Sequence, residues 1–254
     1  MILKLGKKAA RPEAVKLKLG NYINFAELPR VAEIIGNAAT WPANWRVLAN
    51  DKYGDCFWAG SAHEVMVLKA EAGDMVPLFT DRVVLQDYSD CTGFKASVPS
   101  SDAGTDMQTA AAYRQKTGII DCSGLRHTID IYTALKVGDV DQLALATALF
   151  GAVGVGVDFP STAMDQFHQA EPWSVVSGAK SEGGHYVPCI GRNSQGNFLC
   201  VTWGRLQAFT PAWFIKYNDE GLCYVSLERL NAQKLSPNGF DQAALMADFN
   251  ALQA

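Results

Sequence analysis

Charge is in short supply in this chain. Charged residues make up 19% of it, below the usual quarter, and 22 lysines and arginines stand against 26 aspartates and glutamates, a net charge of −4. That balance excludes a global pull toward nucleic acid or an anionic membrane. With 48% hydrophobic residues it also excludes a disordered chain. Long apolar runs are missing too. The longest, near Ala146–Val157, is interrupted by Gly151, Gly154 and Gly156 and is too short to span a bilayer. No C-x-x-C pair occurs among Cys56, Cys91, Cys122, Cys189, Cys200 and Cys223, which argues against a zinc ribbon or a thioredoxin-type site. No metal-ligand cluster stands out, and no metal or cofactor is expected. Met1-Ile2-Leu3-Lys4 has no apolar run with a cleavage site behind it, so neither a signal peptide nor a pro-segment is expected, and reduced thiols are the default.

What is present is one organising stretch, Asn50-Asp51-Lys52-Tyr53-Gly54-Asp55-Cys56-Phe57-Trp58-Ala59, a polar run that ends in a cysteine as a long helical pattern begins. A thiol in the first turn of a helix lies near the positive end of the dipole and near unpaired N–H groups. Both favour the nucleophilic thiolate, and the same N–H groups can hold an oxyanion. Cys56 is therefore the candidate nucleophile. Cys189, Cys200 and Cys223 lie in apolar strand-like runs and read as small buried hydrophobes.

At 254 residues the chain fits one domain of two lobes: an arm and lead-in over 1–44, a helical lobe over 45–125, a β-rich lobe over 126–230 and a C-terminal helix over 231–254. Residues 1–20 are basic, with an alternating Val15–Leu19, and read as an arm packed along the domain surface with one short strand; they lack the aromatics of a nucleic-acid arm. Residues 21–49, with Pro29, Trp41, Pro42 and Trp45, read as irregular. Helices are expected over Cys56–Ala72 with one wide apolar face, Asp81–Ser89, Met107–Lys116, Asp139–Phe150, Ser161–Gln169, Thr210–Tyr217 and Phe240–Leu252, the last after Pro237-Asn238-Gly239. Cys91–Ala103 reads as a loop. Strands are expected over Thr128–Leu135, Ala152–Phe159, His185–Arg192, Asn197–Trp203 and Leu222–Leu227.

Four histidines are candidates for a base. His63 is seven residues past Cys56 on the same helix, about 10 Å away by helical rise, and reads as structural. His127 and His168 suit the surface. His185 follows Gly183-Gly184 and opens an apolar strand, a rigid perch for a base facing a helix from the other lobe.

From here the chain resembles the papain-like cysteine peptidases. Asn50, five residues, then Cys56-Phe57-Trp58-Ala59 is similar to the family's Gln, five residues, Cys-Trp-Ala. Gly104–Ile119, with Ala110, Tyr113, Gly118 and Ile119, resembles its Gly-rich turn and A-x-x-Y helix, and Ala148–Asp158 its helix-to-strand passage. His185-Tyr186-Val187 with Gly191 resembles its His-Ala-Val strand, and Val201-Thr202-Trp203-Gly204 its Asn-Ser-Trp-Gly. The similarity covers roughly residues 45–230 in order, and extends to papain-like proteins encoded in phage and bacterial genomes. It implies an α+β fold in which a Cys-bearing helix packs on an antiparallel β-rich lobe. It implies Cys56 as nucleophile, His185 as base and acid, Asn50 as side-chain oxyanion donor, and binding positions at Gly184 and Trp203. It implies a peptide or protein substrate; the charge balance and the lack of a recognisable signal peptide add the expectation of no nucleic-acid or membrane partner and of a cytoplasmic or virion-associated setting.

One departure matters. The family's orienting Asn falls on Val201, which cannot hold an imidazole, and Thr202 takes that place only if the strand register differs. The expected function is thiol hydrolysis of a peptide or related amide; the alternative is a catalytically weakened papain-like scaffold used for binding or virion assembly. Acyl transfer uses the same residues. Trp41, Trp45, Trp173 and Trp213 read as core anchors, Asp219-Glu220 as a solvated turn, and Asp158 as lacking the spacing to orient His185.

Overall fold

The computed structural model describes residues 3–11, 13–24, 31, 35–225 and 240–253. Helices form where caps and patterns ask for them. Helix α1 (Cys56–Glu71) begins where the polar run ends. Helix α2 (Asp81–Thr92) runs three residues beyond its expected end, takes in Cys91, and stops at Gly93, whose φ of 77° suits a left-handed terminus. The Asp106 carboxylate accepts from the Thr109 N–H at 2.9 Å and caps α3 (Met107–Lys116); Asp139 caps α4 (Val140–Phe150) in the same way. Then come α5 (Ser161–His168), α6 (Pro211–Tyr217) and α7 (Gln242–Gln253).

The strands are β1 (Ile119–Ile120) paired with β2 (Arg126–His127), and an antiparallel six-stranded sheet. The sheet contains β3 (Ile131–Ala134), β4 (Val153–Pro160), β5 (Ser181–Arg192), β6 (Phe198–Thr202), β7 (Arg205–Phe209) and β8 (Asn218–Val225), in the order β3-β8-β4-β5-β6-β7. One face of the sheet packs against α4, α6 and the C-terminal helix, the other against α1. This is the expected α+β arrangement of a Cys-bearing helix on an antiparallel sheet.

Several local expectations are corrected. Val15–Leu19 makes no strand: its backbone meets Ala134 at Lys18 and turns into a 3₁₀ helix over Leu19–Tyr22. The strand of Thr128–Leu135 is shorter, because Arg126–His127 folds back on Ile119–Ile120. Asp219 and Glu220 belong to β8, with Glu220 buried, rather than to a solvated turn. Positions 226–227, Pro29 and the Pro237–Gly239 turn lie outside the described residues.

The larger correction concerns α1. It has no single apolar face: Cys56 through Val67 are all buried, polar residues included. A helix enclosed on all sides must pair its polar groups. Glu64 does so through the Arg114 guanidinium at 2.6 Å and the Tyr186 hydroxyl, which sits 3.2 Å from the Tyr224 hydroxyl, while Arg114 lies 4.2 Å over the Tyr224 ring. This cluster ties α1 and α3 to β5 and β8. Removing one partner of a buried pair strands the other charge, so Arg114→Ala is expected to lower stability by about 3–5 kcal/mol in urea unfolding. A loss within ~1 kcal/mol would show that the cluster does not hold α1 to the sheet.

Candidate active site

Helix α1 aims its first residue, Cys56, at the middle of β5. The Cys56 thiol lies against the backbone N–H groups of Tyr186, the residue after His185, and of Gly6. The preceding loop is tightly held. His63, inside α1, places Nε2 2.8 and 3.1 Å from the carbonyls of Trp45 and Arg46, so it is structural as expected. Asp102 accepts from the Gly54 N–H at 3.0 Å and from the Tyr88 hydroxyl at 2.8 Å. Arg46, Leu48 and Ala49 all have φ between 57° and 69°, a conformation non-glycine residues adopt only when their surroundings impose it.

His185 is fully buried on β5 and clamped from two directions. Its Nε2 is 2.9 Å from Thr202 Oγ1, and its ring stacks on Trp203 at 4.4 Å between centroids and 14° between planes. Its Nδ1 is buried with no hydrogen-bond partner among the described residues. Strand alternation explains why Thr202 and not Val201 meets the ring. Successive side chains point to opposite faces. Val201 joins the core under α1 with Tyr186, while Cys200 joins the opposite core with Val187, so Thr202, two on from Cys200, shares the face of His185, two before Val187. Asp158 is exposed, bonds to Ser181 and does not touch the imidazole. His127 is partly buried beside Asp121 at 3.1 Å, and His168 is exposed at the end of α5.

Residues 4–8 of the chain cover the site, rather than lying as an arm along the domain surface. The Lys4 N–H donates to the Asn50 carbonyl at 3.2 Å, and the Lys4 carbonyl accepts from Asn50 Nδ2 at 3.5 Å and from Trp203 Nε1 at 3.2 Å. The Gly6 and Lys7 N–H groups donate to the Gly184 carbonyl at 3.1 and 2.9 Å. On the other side the Thr105 N–H donates to the Gly6 carbonyl at 2.7 Å, and the Lys8 N–H to the Thr105 carbonyl at 2.9 Å. Thr105 is itself fixed by Trp58 Nε1 at 3.0 Å. The passage at Gly6 is narrow: a Cβ there would fall 2.0 Å from the Gly54 carbonyl oxygen, so only glycine passes. The N-terminal segment thus touches Asn50, Cys56, Gly184 and Trp203, and Trp203 and Thr202 hold His185. Residues the sequence reading did not single out, Gly6, Lys7 and Thr105, join them; the only signal in the sequence was a glycine within a basic run.

Under this cover the electrostatics are those of a neutral pair. Burial pushes the Cys56 thiol up to about 12, with the adjacent Asp55 adding to the effect, and burial pulls His185 down to about 3. Asp55, beside Asn50, is pushed well above the usual carboxylate range by burial.

No protein-family model matches the chain, and no curated protein matches it in sequence. Among solved structures it is similar to xylellain, a cysteine protease from Xylella fastidiosa, at 12% identity and a TM-score of 0.67 over 89% of this chain and 100% of that one. It is similar to digestive procathepsin L 3 of Tenebrio molitor larval midgut at 15% identity and a TM-score of 0.57 (87% and 84%), and to a stem bromelain precursor at 12% and 0.56 (80% and 74%). At these identities the likeness establishes the fold, and the chain has the papain-like fold.

Two outcomes follow from the buried site. With limited iodoacetamide at neutral pH, the partly exposed Cys122 is expected to react before Cys56; located by mass spectrometry, prior labelling of Cys56 would mean that the cleft is open in solution. Acid should weaken the fold through the histidines. His185 and His63, the latter pulled down to about 4, stay neutral when folded but take up a proton near 6.5 when unfolded. The unfolded chain thus binds more protons from about 6.5 down to about 3, and stability present above that window falls through it. Asp55, raised by burial, acts in the opposite sense, so urea midpoints are best compared in an Asp55→Asn background. A midpoint that does not fall between neutral and acid pH there would contradict the neutral burial of both rings.

Proposed function

We propose that this chain is a papain-like thiol hydrolase that cleaves a peptide or related amide bond. The observation that supports the reading is a helix-initial thiol set against the β5 backbone one residue from a clamped imidazole. Cys56 touches the N–H following His185, and Nδ1 is the ring nitrogen that no described residue engages.

Each residue has a chemical part. Nε2–H of His185 donates to Thr202 Oγ1, leaving the lone pair on Nδ1 to take the thiol proton. The sulfur attacks the carbonyl carbon. The oxyanion is held by the Cys56 N–H, which as the first of a helix has no intrahelical acceptor, and by the Asn50 amide. His185 passes the proton to the leaving amine as the C–N bond breaks. Water then adds to the thioester, His185 takes its proton, and the thiol leaves with the acid released. Trp203 covers the imidazole and excludes water from its face. The Lys4 carbonyl, held between Asn50 Nδ2 and Trp203 Nε1, supports a cleft lined to receive peptide carbonyls.

The alternative of a weakened scaffold drew its support from Val201. Thr202 Oγ1, 2.9 Å from Nε2, supports an oriented ring in place of the absent Asn. A hydroxyl is a weaker orienting group than an amide or carboxylate, so the site is expected to be slow rather than dead.

The test is digestion of a peptide library by the whole chain carrying Lys7→Glu, which sets a carboxylate against Asp219 and Glu220 and so frees the N-terminal segment from the cleft, with products read by mass spectrometry and this variant as the parent. Cys56→Ala and His185→Ala are expected to yield no products beyond background, with melting temperatures near that of the parent. Thr202→Val is expected to lower kcat by roughly 10- to 10³-fold with KM little changed. A Cys56→Ala variant as active as the parent would refute the reading.

A further inference from the structure

We propose that Asp55 is a positioning residue for the nucleophile: a neutral carboxylic acid at the start of α1 that leaves the helix N–H groups and the Asn50 amide to the reacting anions, and whose ionisation shuts the site down. The proposal rests on the thiol-hydrolase reading for the reaction served, but the ionisation of Cys56 tests it without turnover.

An aspartate at a helix start ordinarily turns its carboxylate onto the first free N–H groups. Asp106 and Asp139 do so at α3 and α4. Asp55 does not. Its carbonyl accepts from the Trp58 and Ala59 N–H groups at 2.8 and 3.1 Å, but its side chain makes no capping bond. Its φ of −98° and ψ of 20° also lie outside the extended region that Asp106 and Asp139 occupy. Asp55 is 0% exposed, and neither carboxyl oxygen has a hydrogen-bond partner among the described residues. The Asn50 amide lies beside it, but Nδ2 is spent on the Tyr53 and Lys4 carbonyls at 3.1 and 3.5 Å.

The groups that face Asp55 do not favour an anion. Asp81, at the start of α2, and Asp102, ahead of α3, are both acids. Of the two neighbours Asp55 and Asp102, only Asp102 is given donors: the Gly54 N–H at 3.0 Å and the Tyr88 hydroxyl of α2 at 2.8 Å. Lys7, the cation that the N-terminal segment brings near Cys56, is committed to Asp219 and Glu220. A buried carboxyl group with neither donor nor cation, set beside other acids, takes the neutral form. Neutrality matters because of what adjoins it. An ionised Asp55 would oppose the thiolate on the next residue. It would also compete with the oxyanion for the Asn50 N–H that Lys4 releases when residues 4–8 leave. The neutral acid does neither. Water admitted to the open site favours ionisation, so Asp55 titrates at lower pH there than under the cover.

The test takes the whole chain carrying Lys7→Glu as parent and compares it with the same chain carrying Asp55→Asn, which imitates the neutral acid at every pH. Alkylation of Cys56 by iodoacetamide is followed across pH, with the modified cysteine located by mass spectrometry. The Asp55→Asn chain is expected to react about tenfold faster than the parent once Asp55 has ionised, the advantage shrinking as the pH falls. Carbon-13 NMR of aspartate-labelled chain, with Asp55 assigned through its sequential neighbours, reads the protonation directly. In the unsubstituted chain Asp55 is expected to be neutral at pH values where exposed aspartates are ionised. In the parent its midpoint is expected to fall where the two alkylation profiles part. Parallel profiles at every pH would mean a merely structural role and would overturn the proposal. So would an Asp55 ionised in the unsubstituted chain at neutral pH, or an Asp55→Asn chain that reacts more slowly. If Asp55→Asn does not fold, the NMR midpoint decides alone: an ionised Asp55 at the pH where the parent's Cys56 reacts fastest sinks the idea. The expected alkylation profiles without Cys56-dependent peptide cleavage would sustain the role of Asp55 and sink the hydrolase reading. Cleavage by both chains with parallel pH profiles would do the reverse.

Discussion

The seating of α1 against β5 is the constraint from which the site follows. A nucleophile at a helix terminus is only as well placed as the helix. Here the helix is fixed by burial on every side and by a charged cluster in its middle, with Glu64 held by Arg114 and Tyr186. Buried ion pairs are weak contributors to net stability but strongly resist displacement, because any shift leaves a charge without water or partner. With α1 locked to Tyr186, its first residue meets the backbone one step from His185. The ring itself is fixed from behind by Thr202 and Trp203.

The same closeness lets the chain fill its own cleft. Residues 4–8 pair with Asn50 and Thr105 on the side of the helices and with Gly184 and Trp203 on the side of the sheet, so the segment bridges both walls. Its backbone fits only because Gly6 has no side chain to meet Gly54. Covered in this way, the thiol and the imidazole are both driven toward their neutral forms by loss of water. A free helix terminus would favour the thiolate, but desolvation opposes that tendency in the closed form. The dipole is a partial charge, whereas removing an anion from water is costed on a full one.

Local chemistry was well legible in the sequence. Asp106 and Asp139 mark helix starts as their side chains dictate, and α3 runs over the expected residues. The valine–glycine run became the central strand β4, and Asn193–Gly196 turns the hairpin between β5 and β6. The short pair of β1 and β2 and the strand β7 went unseen, because two to five residues carry too little periodicity to rise above a loop. The single apolar face expected for α1 failed for a different reason. Pattern reading assumes that polar residues face water, and it cannot see that Glu64 and Arg114, fifty positions apart, answer each other.

At the site the division is similar. The sequence by itself determined the reactive types and their order: a cysteine opening a helix, a histidine opening a strand, a polar amide before the one and a tryptophan after the other. These are properties of local chain chemistry. Only the tertiary structure decided that Thr202 rather than Val201 holds the imidazole, since that depends on which face of β6 looks toward His185. Only it decided that Lys7 lies buried between Asp219 and Glu220, more than two hundred positions away. Long-range pairing of this kind leaves no periodic trace in a single sequence, because each partner alone is indistinguishable from a solvated surface charge.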